Sequence, residues 1–126
     1  MMTVSYVAVF HFEDGGYWCE FPDLQGCFSQ GDTVREVLAN AKEALEGYIE
    51  CELEEKGKVP PAREITEFKV EGKDFLSYVT CDILQKAKSV KKTLTIPAWL
   101  NDQSERLGVN FSRTLQEALL KKLDIA

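Results

Sequence analysis

Alternating polar and apolar side chains give the segment from Lys91 to Ile96 the clearest chemistry in the chain. Lys91, Thr93 and Thr95 occupy every second position, and Leu94 and Ile96 follow the two threonines. This alternation has the period of a half-buried strand. We therefore predict a strand over residues 92–96 that buries its aliphatic face. Its other face presents a lysine and two threonines, which are side chains that hydrogen-bond to phosphates and base edges.

Two short helices are predicted after this strand. Pro97 ends the strand because it has no backbone N–H, and its fixed φ suits the first turn of a helix. The first helix, at about 98–107, is followed by Gly108, where a left-handed C-cap is expected. Either Asn110 or Ser112 can cap the second helix. The apolar stripe of that helix consists of Leu115, Leu119 and Leu123.

A lone strand leaves backbone groups unpaired on both edges, and no second strand lies nearby in the sequence. The simplest partner is a second copy of the chain, paired antiparallel to form a two-stranded ribbon. We predict that the dimer core contains Leu94, Ile96, Trp99, Leu100, Leu115 and Leu119.

A two-stranded ribbon fits the major groove of DNA. The segment resembles a ribbon-helix-helix DNA-binding domain of the MetJ/Arc type, with Pro97, Gly108 and Asn110-Phe111-Ser112 in matching places. Backbone N–H groups from Asn110 to Arg113 would bind a phosphate at the start of the second helix. The predicted DNA-binding residues are Lys91, Lys92, Thr93, Thr95, Asn110, Ser112 and Arg113.

The net charge of −6 conceals an asymmetry along the 126 residues. From Lys86 onward the chain has eight Lys/Arg and four Asp/Glu, a net of +4, whereas the first 85 residues have seven and seventeen, a net of −10. A basic end on an acidic body indicates two partners of opposite charge, although acidic surface also serves solubility alone.

The first 83 residues predict three strands, a long helix and a fourth strand. The run from residue 3 to residue 12 reads as a central strand covered on both faces, with Phe10 and Phe12 on one face and Val7 and Val9 on the other. A hairpin turn at residues 13–16 leads to a strand over 17–21. Residues 27–29 form a short third strand. Thr33 caps a helix with an apolar face through Ile49, which frays over the acidic residues 50–55. Residues 63–71 are ambiguous, and residues 75–83 read as the last strand.

The stretch FPDLQGCFSQGDT (residues 21–33), preceded by Gly15-Gly16-Tyr17 and followed by the long helix, resembles the HicB antitoxin domain. The resemblance implies an α+β fold, with a partial RNase H-like β-β-β-α-β domain and a C-terminal ribbon-helix-helix. We divide the chain into a toxin-binding domain (1–84), a linker (85–89) and a DNA-binding and dimerisation domain (90–126).

The resemblance also implies a function for each half. The N-terminal domain would neutralise a HicA-type toxin, a small basic ribonuclease, and the C-terminal domain would bind the operator of its own genes and repress them. The toxin-binding candidates are Glu20, Asp23, Glu52 and Glu55. A homodimer is the minimum assembly, and whether dimers pair further on DNA is open. The alternative is a ribbon-helix-helix regulator whose N-terminal domain senses a small molecule.

Catalysis is not expected from these residues. Ribonuclease H chemistry needs several carboxylates around two Mg²⁺ ions, and only Glu20 and Asp82 lie on predicted strands. His11 is the only histidine, and we expect it to be a hydrogen-bonded strand residue or part of the toxin-facing surface. The four cysteines have no CxxC spacing, so neither a metal site nor a disulfide is predicted, and no cofactor is expected. With no predicted signal peptide or membrane span, we expect a cytoplasmic protein.

Overall fold

The computed structural model describes residues 2–84 and 87–125, and these form an α+β fold with one antiparallel sheet and three helices. The elements are β1 (Thr3–Glu13), β2 (Gly16–Glu20), β3 (Phe28–Gly31), α1 (Val34–Lys56), a 3-10 turn (Ile65–Glu67), β4 (Phe75–Asp82), α2 (Ala98–Arg106) and α3 (Phe111–Lys122). The predicted order of three strands, helix and strand is confirmed. The ambiguous region 63–71 contains only the 3-10 turn.

The long first strand lies inside the sheet, whose strand order is β3-β2-β1-β4. Both neighbours of β1 are antiparallel to it, so the described strands contain no parallel pair. A two-residue turn joins β1 to β2: Asp14 and Gly15 both have positive φ, the geometry that matches the twist of a tight hairpin. That turn sets the register Glu13↔Gly16, and with it every pair along the two strands.

Helix α1 covers one face of the sheet. Its residues Val37, Ala41, Leu45 and Ile49 recur every four positions and have no exposed surface. They pack in one core cluster with the β1 side chains Val4, Tyr6, Ala8 and Phe10. Burying a side chain the size of leucine contributes about 1.5–3 kcal/mol, so these four α1 residues contribute substantially to the stability of the N-terminal half. The predicted cover on both faces of β1 does not extend to Phe12, which is 37% exposed.

The ends of α1 are capped by side-chain and backbone bonds. The Thr33 hydroxyl accepts a hydrogen bond from the Glu36 N–H at 3.1 Å, as predicted for an N-cap. The predicted fraying over residues 50–55 is wrong, because the helix continues to Lys56 and ends at Gly57 in the left-handed conformation. Leu53 packs against the core and the Tyr48 hydroxyl donates to the Gln25 carbonyl at 3.0 Å, which holds the last turns in place.

The strand predicted over residues 92–96 is absent from the single chain, and residues 88–97 belong to no helix or strand and are exposed. A strand needs a hydrogen-bonded neighbour, and the described β-strands all pair within the N-terminal sheet. Of the predicted linker 85–89, positions 85 and 86 lie outside the described residues. The first C-terminal helix ends one residue earlier than predicted, at Arg106.

The two C-terminal helices end in the same hydrogen-bonding motif. After α2, Gly108 is left-handed (φ 70°), and the N–H of Val109 donates to the Ser104 carbonyl. After α3, Asp124 takes the left-handed place (φ 57°), and the N–H of Ile125 donates to the Leu120 carbonyl. This pattern is the Schellman motif, which brings the residue after the left-handed one against the last helical turn.

The second of these motifs joins the two halves of the chain. Leu120 and Ile125, which the motif places side by side, are half-buried against the N-terminal core. The end of α3 therefore contacts the N-terminal core. None of the helices described is both long and apolar enough to cross a membrane.

The approach of α1 to β3 yields a stability prediction. A Cβ on Gly31 would lie 2.5 Å from the backbone nitrogen of Val37, whereas a Cβ on Gly47, inside α1, would meet nothing within 4 Å. We expect Gly31→Ala to lower the free energy of unfolding by about 1–3 kcal/mol through overpacking. Gly47→Ala should raise it by about 0.5–1 kcal/mol. Urea unfolding of both variants tests this, and equal effects would contradict it.

Candidate functional site

The predicted DNA-contacting side chains of the 91–95 segment are all exposed. Lys91, Lys92, Thr93 and Thr95 lie on the irregular stretch before α2. Leu94 and Ile96 are exposed beside them, so the single chain does not separate a polar face from an apolar one. The alternation predicted for this segment therefore stays a prediction.

Large exposed apolar side chains are concentrated in the C-terminal part. Of the thirteen in the described residues, nine lie between Val90 and Leu123. Trp99 is 63% exposed and Leu107 is 83% exposed, and of the predicted dimer core only Leu115 is half-buried. Soluble proteins rarely expose so much apolar surface in one segment without a partner to cover it. The exposed members of the set are Val90, Leu94, Ile96, Trp99, Leu100, Leu107, Phe111, Leu119 and Leu123.

The start of α3 differs from the predicted anion site. Asn110 is the N-cap, and its side-chain oxygen accepts a hydrogen bond from the Arg113 N–H at 3.0 Å. That N–H, one of the four assigned to a phosphate, is therefore already used. Ser112 is not the cap; its hydroxyl accepts a hydrogen bond from Gln116 at 3.2 Å. The Arg113 guanidinium lies 3.3 Å from Glu117 on the exposed side of the helix.

The four carboxylates proposed to bind the toxin do not form one surface. Asp23 accepts hydrogen bonds from the backbone N–H and the Nε of Arg63, at 2.8 and 2.7 Å. Glu52 pairs with Lys56 one turn along α1, and Glu55 is exposed nearby. Glu20 projects from the sheet face opposite α1.

Asp23 and Glu52 come close together at one internal group, the hydroxyl of Tyr6. Burial raises the pKa of Tyr6 to about 12, and the negative charges of Asp23 and Glu52 add to the effect. The hydroxyl donates to the Pro60 carbonyl. Asp23, through Arg63, and Tyr6, through Pro60, thus hold the segment after α1 against the sheet, whereas Glu52 pairs within α1.

A cluster around His11 lies on the open sheet face. Its Nδ1 is 2.8 Å from Asp74 and its Nε2 is 2.9 Å from Glu20. Since carboxylate oxygens only accept hydrogen bonds, the two bonds coexist when both ring nitrogens carry protons. The ring also stacks on Trp18, with centroids 4.2 Å apart. His11 is therefore a hydrogen-bonded strand residue, which is one of the two roles expected for it.

Trp18 and Asp74 were not predicted to be members of this cluster. The His11↔Trp18 pair follows from the two-residue turn at Asp14-Gly15 by counting back along the hairpin, so the signal was present in the sequence. The contact of Asp74 depends on the path of the irregular segment before β4. No local pattern in the sequence specifies that path.

The described residues provide no cluster of three His, Cys, Asp or Glu side chains arranged to hold a metal ion. Glu20 pairs with Val9 and Asp82 pairs with Thr3, so six residues of β1, or about 20 Å, separate the two strand carboxylates. All four cysteines are free. Burial raises the pKa of Cys27 and of Cys81 to about 11 each, so these thiols are held in the protonated form.

Comparison with known proteins gives consistent matches. The family model for the HicB-like antitoxin of bacterial toxin–antitoxin systems matches residues 6–126. A 14.9 kDa protein from the rep-hol intergenic region of Haemophilus phage HP1 is 39% identical over 89 residues, which cover 68% of this chain and 67% of the relative.

Two solved structures are similar to the whole fold. A chain in a toxin–antitoxin complex from Streptococcus pneumoniae is 29% identical with a TM-score of 0.61, and the match covers 96% of this chain and 99% of that one. The antitoxin HicB of Burkholderia pseudomallei has a TM-score of 0.66 over 95% of this chain and 98% of its own. At 22% identity, the latter shows the fold alone.

The His11 cluster predicts a pH dependence of stability. Hydrogen bonds from His11 and from the Phe12 N–H lower the pKa of Asp74. A lowered folded-state pKa means that the ionised carboxylate stabilises the fold above its ordinary value of about 3.9 and loses this effect as pH falls. Asp74→Asn should therefore be less stable than the parent at pH 7, with the difference shrinking toward pH 3. Urea unfolding from pH 3 to pH 7 measures this difference, and Asp14→Asn in the exposed turn serves as the control. If the stability difference between Asp74→Asn and the parent does not change with pH, the prediction is wrong.

Proposed function

This chain belongs to the HicB-like antitoxins of bacterial toxin–antitoxin systems, and we propose that it has two binding activities and no catalytic one. Residues 1–84 bind and neutralise a HicA-type toxin. Residues 90–126 pair with a second copy as a ribbon-helix-helix and repress the operon by binding operator DNA. Both partners place the protein in the cytoplasm. We also propose that residues 1–84 have a partial RNase H-like fold.

The observation that carries the proposal is the uncovered apolar surface between Val90 and Leu123. The N-terminal half buries its own apolar stripe under α1, but Trp99, Leu107 and Leu123 are left exposed. A second copy supplies both missing elements at once: a strand to pair with residues 92–96 and two helices to cover the aliphatic side chains. Lys91, Thr93 and Thr95, all exposed in the single chain, would then lie on the outer face of the ribbon, where DNA binds.

Toxin binding is supported by charge and by similarity. The first 85 residues have a net charge of −10, which suits a basic partner. The S. pneumoniae chain with the same overall fold belongs to a toxin–antitoxin complex. The absence of a converging carboxylate set in the described sheet supports a binding domain rather than a nuclease, because two-metal hydrolysis needs such a set.

Dimerisation through the ribbon gives a prediction at adjacent positions. Ile96→Lys places a charge in the proposed dimer core and should convert the dimer to a monomer. Thr95→Lys places the same side chain on the outer face and should leave the dimer intact. Light scattering coupled to size-exclusion chromatography measures both masses. Two monomers, or two dimers, would contradict the predicted alternation.

The DNA half gives a second prediction. Replacing Thr93 and Thr95 by alanine should reduce discrimination between operator and random DNA by about 1–3 kcal/mol for each base-edge interaction that the threonines make. Gel shifts with both DNAs measure this at one stated salt concentration. Toxin neutralisation, followed in a growth assay, should be unchanged because it uses the other domain. An unaltered operator preference would exclude these threonines from base reading.

A further inference from the structure

One large aromatic side chain of the N-terminal domain has no role in its core. Phe28, on the edge strand β3, is 61% exposed. The register places it with Trp18 and Glu20 on the sheet face opposite α1. A surface concavity of about 600 Å³ opens there, and we call it the aromatic–acidic cavity. It is lined by Glu13, Trp18, Phe28, Ser29 and Gln30.

The position of Trp18 is fixed before any partner arrives. Its indole N–H donates to the Glu13 carboxylate at 2.9 Å, and one face of the ring stacks on the imidazole of His11. His11 is itself held at both nitrogens by Asp74 and Glu20. An aromatic side chain locked in this way loses little conformational entropy on binding, which is typical of an interface anchor.

The charge around the cavity selects a cationic partner. None of its five lining residues is basic, and the Glu13 carboxylate is bonded there to a neutral indole. Beside the cavity, the single imidazole of His11 contacts two carboxylates, Glu20 and Asp74. One imidazole carries at most one positive charge, so it cannot neutralise both carboxylates. Aromatic faces beside uncompensated carboxylates bind guanidinium groups well, through cation–π contact and bidentate hydrogen bonds.

The edge of β3 is less accessible than its face. The Asn40 side-chain amide of α1 donates to the Gln30 carbonyl at 2.8 Å, which occupies one backbone group of this strand. Gly31 lies directly against the backbone of Val37. A partner that added a strand at this edge would meet the helix, so docking through side chains is favoured over strand addition.

We propose that the aromatic–acidic cavity is the docking site for the toxin, and that an arginine on the toxin's basic surface enters it against Trp18 and Phe28. This inference rests on the proposed antitoxin function and gives that function a location. It differs from the sequence-based candidates: Asp23 and Glu52 are engaged in internal contacts, whereas Glu20 borders the cavity through its bond to His11.

The test uses the full-length protein and the purified toxin encoded by the neighbouring reading frame. Phe28→Ser should weaken toxin binding by about thirtyfold or more, the effect of removing a central aromatic anchor. Val34→Ser is the matched control, because Val34 is also an exposed apolar side chain (40%) but lies on α1, outside the cavity. It should bind like the parent, and both variants should unfold at the same urea concentration as the parent, because substitutions of exposed side chains change stability little.

A variant that removes one charge distinguishes electrostatic attraction of the toxin from side-chain contact in the cavity. Glu13→Gln keeps an acceptor for the Trp18 indole but removes the charge, so it should slow toxin association at low salt and have less effect at high salt. If Phe28→Ser binds the toxin as tightly as the parent does, the cavity is not the docking site, although the antitoxin function stands. A parent protein without affinity for the toxin would overturn the antitoxin function and the inference with it. A loss of self-association in Phe28→Ser would assign the cavity to a second copy of this chain instead.

Discussion

The packing of helix α1 on one face of the sheet is the contact on which the rest of the N-terminal half depends. Four α1 side chains without exposed surface belong to the same core cluster as the buried residues of β1. The helix thereby covers one face of the sheet and leaves the other face for partly exposed polar and aromatic residues. His11 and Trp18 lie on that second face because side chains alternate along paired strands. The same alternation buries Phe10 and Cys19 beneath the helix.

The two halves of the chain differ in how much of their apolar surface is buried. Residues of the sheet and α1 form a core in which every buried side-chain polar atom described has a hydrogen-bond partner. The C-terminal helices have caps and closing motifs of their own, but no residue within them is fully buried. The C-terminal helices are therefore capped locally, but they lack the tertiary burial that the sheet and α1 have. This contrast supports the proposed dimer.

The contact of Leu120 and Ile125 with the N-terminal core links the C-terminal end of the chain to the sheet and α1. Asp124 takes a backbone conformation that glycine adopts more readily, and the resulting motif sets these two side chains together against the first domain. A partner that moved the end of α3 would also uncover part of that core. The end of α3 and the N-terminal core are thus joined by packed side chains and not only by the chain connecting them.

Much of the architecture follows from the sequence, since it depends on local or periodic signals. The Asp14-Gly15 turn, the Thr33 cap, the stripe of α1 and the left-handed Gly108 all have short-range causes, and the structure has them where the pattern predicts. The sequence also predicted a hydrogen-bonded strand residue as one of two roles for His11, and Asn110 as one of two candidate caps.

Tertiary structure decided the remaining features, because they depend on contacts between residues distant along the chain. Whether Phe12 is covered depends on how far α1 extends over β1, and whether Asp23 is free depends on where Arg63 lies. The bond between Asp74 and His11 spans 63 positions, and no periodicity encodes such a distance. The strand predicted over residues 92–96 also depends on a distant contact, because its hydrogen-bonded neighbour is not part of the same segment. A β-strand is stabilised by hydrogen bonds to a neighbouring strand. The alternation of polar and apolar side chains predicts which face the strand would bury, but it does not provide that neighbouring strand.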